Sequence, residues 1–429
     1  MRLELDVVSV DRVVFGNRPG VDAGVLTVER EALRALLAAD PRLCDVAVHL
    51  ANPGEPCRIV NVFDVVEPRA KDGGGPSFPG IIEPLGRVGA GRTRILRGAA
   101  VVGLNAFFER FNAIIDMTGP GAELGPFART ANVCVAAQPA PGVERFQYLR
   151  AMKEATLKAA VSLARSAAGA PVAATEVYDL DAPRGAAAPA SPRLPRVAYV
   201  FMLVSQQRPS QPDEPVLYGD HVALLLPTVL HPNEVLDGAV VAPYRAFGSE
   251  TYFIQNHPIV LELYRRHGTL LDFAGVVVTV AHVSEAARRR TVVMATNLVA
   301  TALRADGAVL TKVGGGMPES DLMATCQALE ELGVRTTIAV WTHGTDGRVE
   351  GSLTVVAPRA DAMVSVGLND ECLDLPAVER AIGGPLAGPF SDEAGAPALP
   401  AAGALRVRYR DLAGVLNQLG ANRLSIEEY

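Results

Sequence analysis

The stretch LELDVVSV, residues 3–10, alternates apolar and polar positions and then runs β-branched, the period-two pattern of a strand with one buried face. GVLTV (24–28) and DVAVHLA (45–51) repeat it, and EREALRALLAA (29–39) between them predicts a short helix. KDGGGPSFPG (71–80) and GRVGAGRTR (86–94) are Gly-rich loops. Residues 1–135 therefore predict a compact unit rich in strands. QYLRAMKEATLKAAVSLARSAA (147–168) changes the period: Leu149, Met152, Leu157, Ala160 and Leu163 fall mostly on one face of a helix.

PRGAAAPASPRLPR (183–196) has small residues with nothing to bury and prolines that favour extended chain, and it predicts a linker. VAYVFMLVSQ (197–206) and HVALLLPTVL (221–230) follow as buried strands. From about residue 260, strand and helix alternate. FAGVVVTVAHV, GAVLTKV, RTTIAVW and AMVSVG read as strands; SEAARRRTVVMATNLVATALRA and ESDLMATCQALEEL read as helices. That rhythm predicts a parallel sheet covered on both faces. The expected class is α/β, with a mixed α+β, β-rich N-terminal half before a doubly wound, mostly parallel C-terminal domain. The expected divisions are 1–182, the linker 183–196, a central segment 197–258, an α/β domain 259–385, and a Pro/Ala/Gly linker with C-terminal tail at 386–429.

A chain of 429 residues exceeds one ordinary core, which supports more than one domain. Aromatics make up only 5%, so the cores must be aliphatic. The net charge is −7 and the longest basic run is RRR at 288–290, which argues against nucleic acid as a partner. No apolar run is long enough to span a membrane, and the start lacks a signal-peptide pattern. Cys44, Cys57, Cys134, Cys326 and Cys372 form no CxxC, so structural zinc and a disulfide framework are not expected and a reducing cytoplasm is.

Candidate chemistry begins at VLTKVGGGMPESDL (309–322). In a parallel sheet, ligands bind beyond the carboxyl ends of strands. Gly314, Gly315 and Gly316 would let backbone amides approach a carboxylate there, beside Lys312 and a helix N-terminus. The other reading of the same residues is a tight turn that needs glycine for clearance. The spacing fits neither GxGxxG nor a Walker loop. Seven histidines show no HExxH or HxH spacing, so no metal site is expected. Cys326 falls on an apolar helix face and reads as an inert core thiol. Asp116, Glu123 and Arg129 lie among turns, where solvated side chains are the ordinary outcome.

Several blocks together carry a resemblance. VEPRAKDGGGPSFPG (66–80), VGAGRTRILRGAAVV (88–102), IIDMTGPGAE (114–123), LLLPTVLHPNEVLDGAVV (224–241), TYFIQNHPIVLELYRRHG (251–268) and GAVLTKVGGGMPESDLMATC (307–326) resemble the glycine/sarcosine/betaine reductase component B family, specifically its alpha/beta-subunit proprotein. The resemblance implies a proprotein split at an internal cysteine that becomes a pyruvoyl group. It also implies a partner subunit, commonly a selenoprotein, whose selenol or thiol attacks the substrate's α-carbon once the amine is held as an iminium. Here the corresponding segment is APYRAFGSE, 242–250, and there is no cysteine between Cys134 and Cys326.

The expectation is therefore an uncleaved, pyruvoyl-lacking subunit with no resident cofactor. It works, if it is catalytic, as part of an oxidoreductase of the reductive C–N cleavage type. Its partners would be a small amine-type substrate and a thiol- or selenol-bearing subunit, in a hetero-oligomer. His257 (as a proton donor), Asn256, Tyr252 and Ser249 are the candidate catalytic residues. Gln255, Thr251, Lys312 and Gly314 to Gly316 are the candidate substrate contacts. Two alternatives stand beside this: a non-catalytic scaffold subunit, and a pyruvoyl group made from Ser249 by acyl shift at Gly248-Ser249.

Overall fold

The computed structural model describes residues 1–107, 113–181, 193–203, 214–221, 225–244, 248–342, 353–360, 362–390 and 396–420. The alternating N-terminal segments form two sheets. In the first, Ala174–Asp179, Arg2–Ser9, Gly91–Arg97 and Arg69–Gly73 lie side by side in that order. In the second the order is Ala113–Asp116, Cys57–Val66, Ala99–Leu104, Ala131–Pro139, Leu43–Ala51, with antiparallel pairs except between Ala99–Leu104 and Ala131–Pro139. The short helix Arg30–Ala38 buries Leu33 and Leu37. The long helix Arg145–Ser166 starts at a capping box: Glu144 donates its amide to the Gln147 side chain at 3.1 Å. Its face packs Leu149, Met152, Leu157 and Leu163 into the core shared with the sheets.

The C-terminal alternation folds as expected into a six-stranded sheet, ordered Thr228–Leu230, Asp272–Val280, Arg196–Leu203, Gly307–Lys312, Arg335–Thr342, Met363–Leu368. All neighbours are parallel except the edge strand Thr228–Leu230. The α/β class inferred from the sequence holds. The helices Glu285–Asn297 and Met317–Glu331 cover one face through Ala295, Leu322, Met323, Cys326 and Leu329. Phe253, Ile254, Val260 and Leu263 cover the other, together with residues of the N-terminal sheets. Cys326 is fully buried, 3.2 Å from Thr336 Oγ1. HVALLLPTVL differs from expectation: its described ends pair as Asp220–His221 and Thr228–Leu230, and Pro227, which has no amide to donate, precedes the edge strand.

Chain order and spatial order diverge at two places. The central strand of the C-terminal sheet, Arg196–Leu203, comes from just after the expected linker, of which residues 183–192 lie outside the described set. In return, Arg380–Ile382 joins the second N-terminal sheet in parallel with Cys57–Val66. The Pro/Ala/Gly stretch beyond residue 386 carries the strands Leu386–Ala387, Leu399–Pro400 and Leu405–Arg408. It is fastened by Arg58, which donates to the carbonyls of Pro376, Ala401 and Gly403 and to Asp116. Asp116 is thus a buried partner on a strand rather than a solvated turn residue, and desolvation raises its pKa despite the guanidinium beside it.

Candidate functional site

The strand Cys57–Val66 is buried at all ten positions, so every polar side chain on it must find a partner inside the protein. Asp64 finds four donors. Oδ2 accepts from Lys153 Nζ and from Thr251 Oγ1, both at 2.7 Å; Oδ1 accepts from the amides of Val65 and Thr251, both at 2.9 Å. Lys153 and Asp64 have no solvent-exposed side-chain surface. Just beyond this strand, Glu67 Oε2 accepts two bonds from Arg69, at 2.9 and 2.6 Å, while Oε1 faces Arg97 at 3.5 Å, an ion pair too long for a hydrogen bond.

The segment 249–257 closes against this strand. Thr251–Gln255 forms a short helix, Pro258 opens the next, Pro258–Arg266, and both bury their apolar face. Gln255 pairs with the backbone of Glu67 in both directions, accepting at 2.9 Å and donating at 3.2 Å. Asn256 Oδ1 accepts from Arg69 at 2.9 Å and Arg97 at 3.0 Å, and its amide donates to the Tyr252 carbonyl. Tyr252 packs edge-on against Phe127, and burial raises its phenol pKa. A narrow cleft lies alongside, lined by Arg69, Lys71, Thr93, Asp237 and Gln255 among others. Its charges are answered within the protein: Asp237 accepts from Lys71, Thr93 and the Gly89 amide, each at 2.7 Å.

His257 turns the other way, onto the C-terminal sheet. Its Nε2 is 3.0 Å from the Tyr199 hydroxyl, which is 2.5 Å from Thr311 Oγ1. Nδ1 meets no hydrogen-bond partner from another described residue. Full burial lowers the imidazole pKa to about 3. At neutral pH the enclosed ring is held in its neutral form.

Ser249 is fully buried, after Gly248 in the left-handed region at φ +76°; residues 245–247 lie outside the described set. A side chain at position 248 would meet the Leu416 carbonyl at 1.7 Å. Glu250, next in line, is 3% exposed, and its Oε2 has no hydrogen-bond partner among the described residues. Burial first, and the nearby Asp64 as a further contribution, raise its carboxyl to about 7.

Lys312 and the three glycines sit at the carboxyl end of Gly307–Lys312. The chain lays down Arg196–Leu203, then a neighbour on one side, Asp272–Val280, then a neighbour on the other, Gly307–Lys312. The glycine loop thus stands at the point where strand order reverses, where open α/β sheets bind ligands. Lys312 is buried on the face opposite Thr311, donates to Gly314 O at 2.6 Å and Glu319 Oε1 at 2.9 Å, and lies 5.1 Å from the Trp341 ring centre. Burial lowers its pKa, the carboxylate of Glu319 opposing. Gly314 (φ +89°) and Gly316 (φ +79°) use their conformational freedom, and Pro318 lies in the first turn of the helix. The Gly314 amide donates to Gln418 Oε1 at 3.0 Å. Gly315 is placed between these two, and a side chain added there would meet the Glu319 carboxylate at 3.6 Å.

The sequence candidates therefore form two groups. Thr251, Gln255 and Asn256 meet at the Cys57–Val66 strand and its continuation, with Tyr252 packed on Phe127 beside them and Ser249 buried just ahead of Thr251; Lys312 and the glycines meet at the end of the sheet. His257 reaches toward the second through Tyr199 and Thr311. No cluster of metal-ligating side chains occurs among the described residues.

A family profile described as glycine/sarcosine/betaine reductase component B subunits matches residues 1–427. The chain belongs to this family. It is 34% identical, over the full length of both chains, to "Glycine reductase complex component B subunits alpha and beta" of Peptoclostridium acidaminophilum. It is 35% identical to that organism's "Sarcosine reductase complex component B subunit alpha" and 30% to its "Betaine reductase complex component B subunit alpha", covering 89% of this chain in each case. No solved structure matches.

As a component B chain, this protein carries a polar seam that its motifs only half announce. Asp64, Glu67, Arg69, Arg97, Lys153, Tyr199, Glu250 and Gln418 escape the sequence reading. One signal was present: an acid inside the apolar run IVNVFDVV must be paired wherever it folds. No local signal marks Gln418. The segment 242–250 holds no cysteine, and Ser249 is buried, with the Leu416 carbonyl lying close over Gly248.

Proposed function

We propose that this component B chain works uncleaved, without a carbonyl of its own, as one subunit of a reductase-type complex. A thiol- or selenol-bearing partner subunit supplies the nucleophile for reductive release of a small amine, and this chain helps hold the substrate without a covalent bond. The observation that carries the reading is the segment 242–250: the block after it persists, while the residue needed for the usual self-splitting is missing. The five cysteines are free, which suits a reducing compartment. No described helix is long and apolar enough to cross a membrane.

A second reading, a scaffold subunit that only supports a catalytic partner, is favoured by one feature of the site. Gln255, Thr251 and Asn256 already have protein partners and are buried or half-buried.

Denaturing intact-mass measurement addresses the first half: one full-length species is expected, and two fragments parting at 248/249 would defeat it. Borohydride labelling in the presence of an amine, abolished by Ser249→Ala, would instead reveal a serine-derived pyruvoyl group. For the second half, Asn256→Ala and His257→Ala are assayed in the assembled complex. Loss of turnover with assembly intact supports a substrate-holding role, and unchanged turnover establishes the scaffold.

A further inference from the structure

The segment from Leu412 to Gly420 contains no regular secondary structure, yet Leu412, Ala413, Leu416, Asn417, Gln418 and Leu419 are each 3% exposed or less. It touches three separate parts of the molecule. Ala413 donates its amide to Ile114 O in the N-terminal half at 2.9 Å. Gly414, at φ +75°, fits so closely that an added side chain would meet Pro126, Phe127 and Phe253 within 3.0 Å. The Leu416 carbonyl lies over Gly248, and Gln418 accepts from the Gly314 amide at the switch point of the sheet. A single strap therefore covers both candidate loci.

Beneath it lies Glu250. Among the described residues, the groups that act on this carboxyl are its own backbone amide, Asp64 on the Cys57–Val66 strand, which Lys153 from the long helix pairs, and the Gly414 amide of the strap itself. Lys153 already serves Asp64, so among the described residues a second negative charge in this space has no cation of its own.

We propose that Leu412 to Gly420 is a strap that opens and closes over Gly248-Ser249 and the glycine loop, and that a proton on Glu250 holds it shut. The inference concerns regulation of the site proposed above and rests on that placement, not on whether the chain is catalytic. Closed, the neutral acid tolerates burial. Ionised, it is better hydrated, and hydration requires the strap to lift.

The sign follows from the proton count. The closed form keeps its proton up to about pH 7, whereas an exposed glutamate loses it near its ordinary 4.5. Closure is thus strongest at low pH, weakens about tenfold per pH unit between these values, and levels off above 7. The total fall is roughly 300-fold.

Amide hydrogen exchange on the purified full chain tests this, with rates corrected for intrinsic pH dependence. Protection of 412–420 and 248–251 should fall from pH 5 to 7 and then level off, while Asp272–Val280 stays constant. Glu250→Gln should keep the strap protected at every pH. Gly248→Ala, whose side chain collides with Leu416 O, should expose the strap at every pH and leave the central sheet protected, and it carries the test with the wild-type series if the glutamine variant does not fold. A flat wild-type profile, or a strap unchanged in Gly248→Ala, overturns the proposal. Neither result bears on cleavage, which the intact mass reads separately.

Discussion

Lys153 lies midway along a 22-residue helix with no side-chain surface in water, and Asp64 is what makes that position tolerable. Taking a lysine out of water costs several kcal/mol, so the pair contributes less to stability than its breakage would cost. Lys153→Met should lower unfolding free energy by about 3–5 kcal/mol, because Asp64 then keeps its charge with only Thr251 and one amide to answer it. Asp64→Asn combined with Lys153→Met should recover most of that loss. Urea denaturation of the single and double variants measures both. The same locality explains what can be read here from sequence. TYFIQNHP stands out as a polar cluster after an apolar run, but its roles depend on partners such as Glu67, which lies 188 residues from Gln255. Hydrogen bonds across that separation leave no pattern in the chain. Even His257, a natural candidate acid by residue type, changes character only because Tyr199 and Phe201 enclose its ring.

Strands and helices are far more legible than their neighbours, since period and turn chemistry are local whereas pairing is not. FAGVVVTV, GAVLTKV and RTTIAVW announce a parallel sheet through continuous apolar runs, and the sheet is there. Nothing in VAYVFMLV says that it lies between the first two of these, or that RAI at 380–382 crosses to the other half. The prolines and alanines after residue 386 read as linker because they offer little to bury; Arg58 reaching in from the second N-terminal sheet gives those residues a place. Arg58→Ala would leave Asp116 buried and uncompensated, and the carbonyls of Pro376, Ala401 and Gly403 without that donor. A loss of about 3–5 kcal/mol is expected. Limited proteolysis should then cut between 376 and 403 before the central sheet is attacked. Cutting only upon global unfolding would mean that Arg58 does not fasten this region.

At the scale of the whole molecule, the two sides of position 248 are interlocked rather than adjacent. The part before it contributes Arg196–Leu203, held on both edges by Asp272–Val280 and Gly307–Lys312 from the part after it. The later part contributes Arg380–Ile382 to the N-terminal sheet and the strap over Gly248. One core, with Leu5, Val102, Tyr199, Val278 and Leu419 among its members, runs through both. Separating the pieces would strip a central strand of both its neighbours and expose that core, a cost on the scale of unfolding rather than of dissociating two domains. A break in the chain here should therefore not separate its halves. If residues 245–247 are replaced by a site-specific protease sequence and the purified protein is nicked, it should still elute as one species in native buffer and resolve into two only in strong denaturant. Two native peaks would show that the halves are independent bodies. The same reasoning means that a single chromatographic peak says nothing about whether this chain is whole: only a measurement on the unfolded polypeptide distinguishes an uncut component B chain from one that has split and stayed assembled.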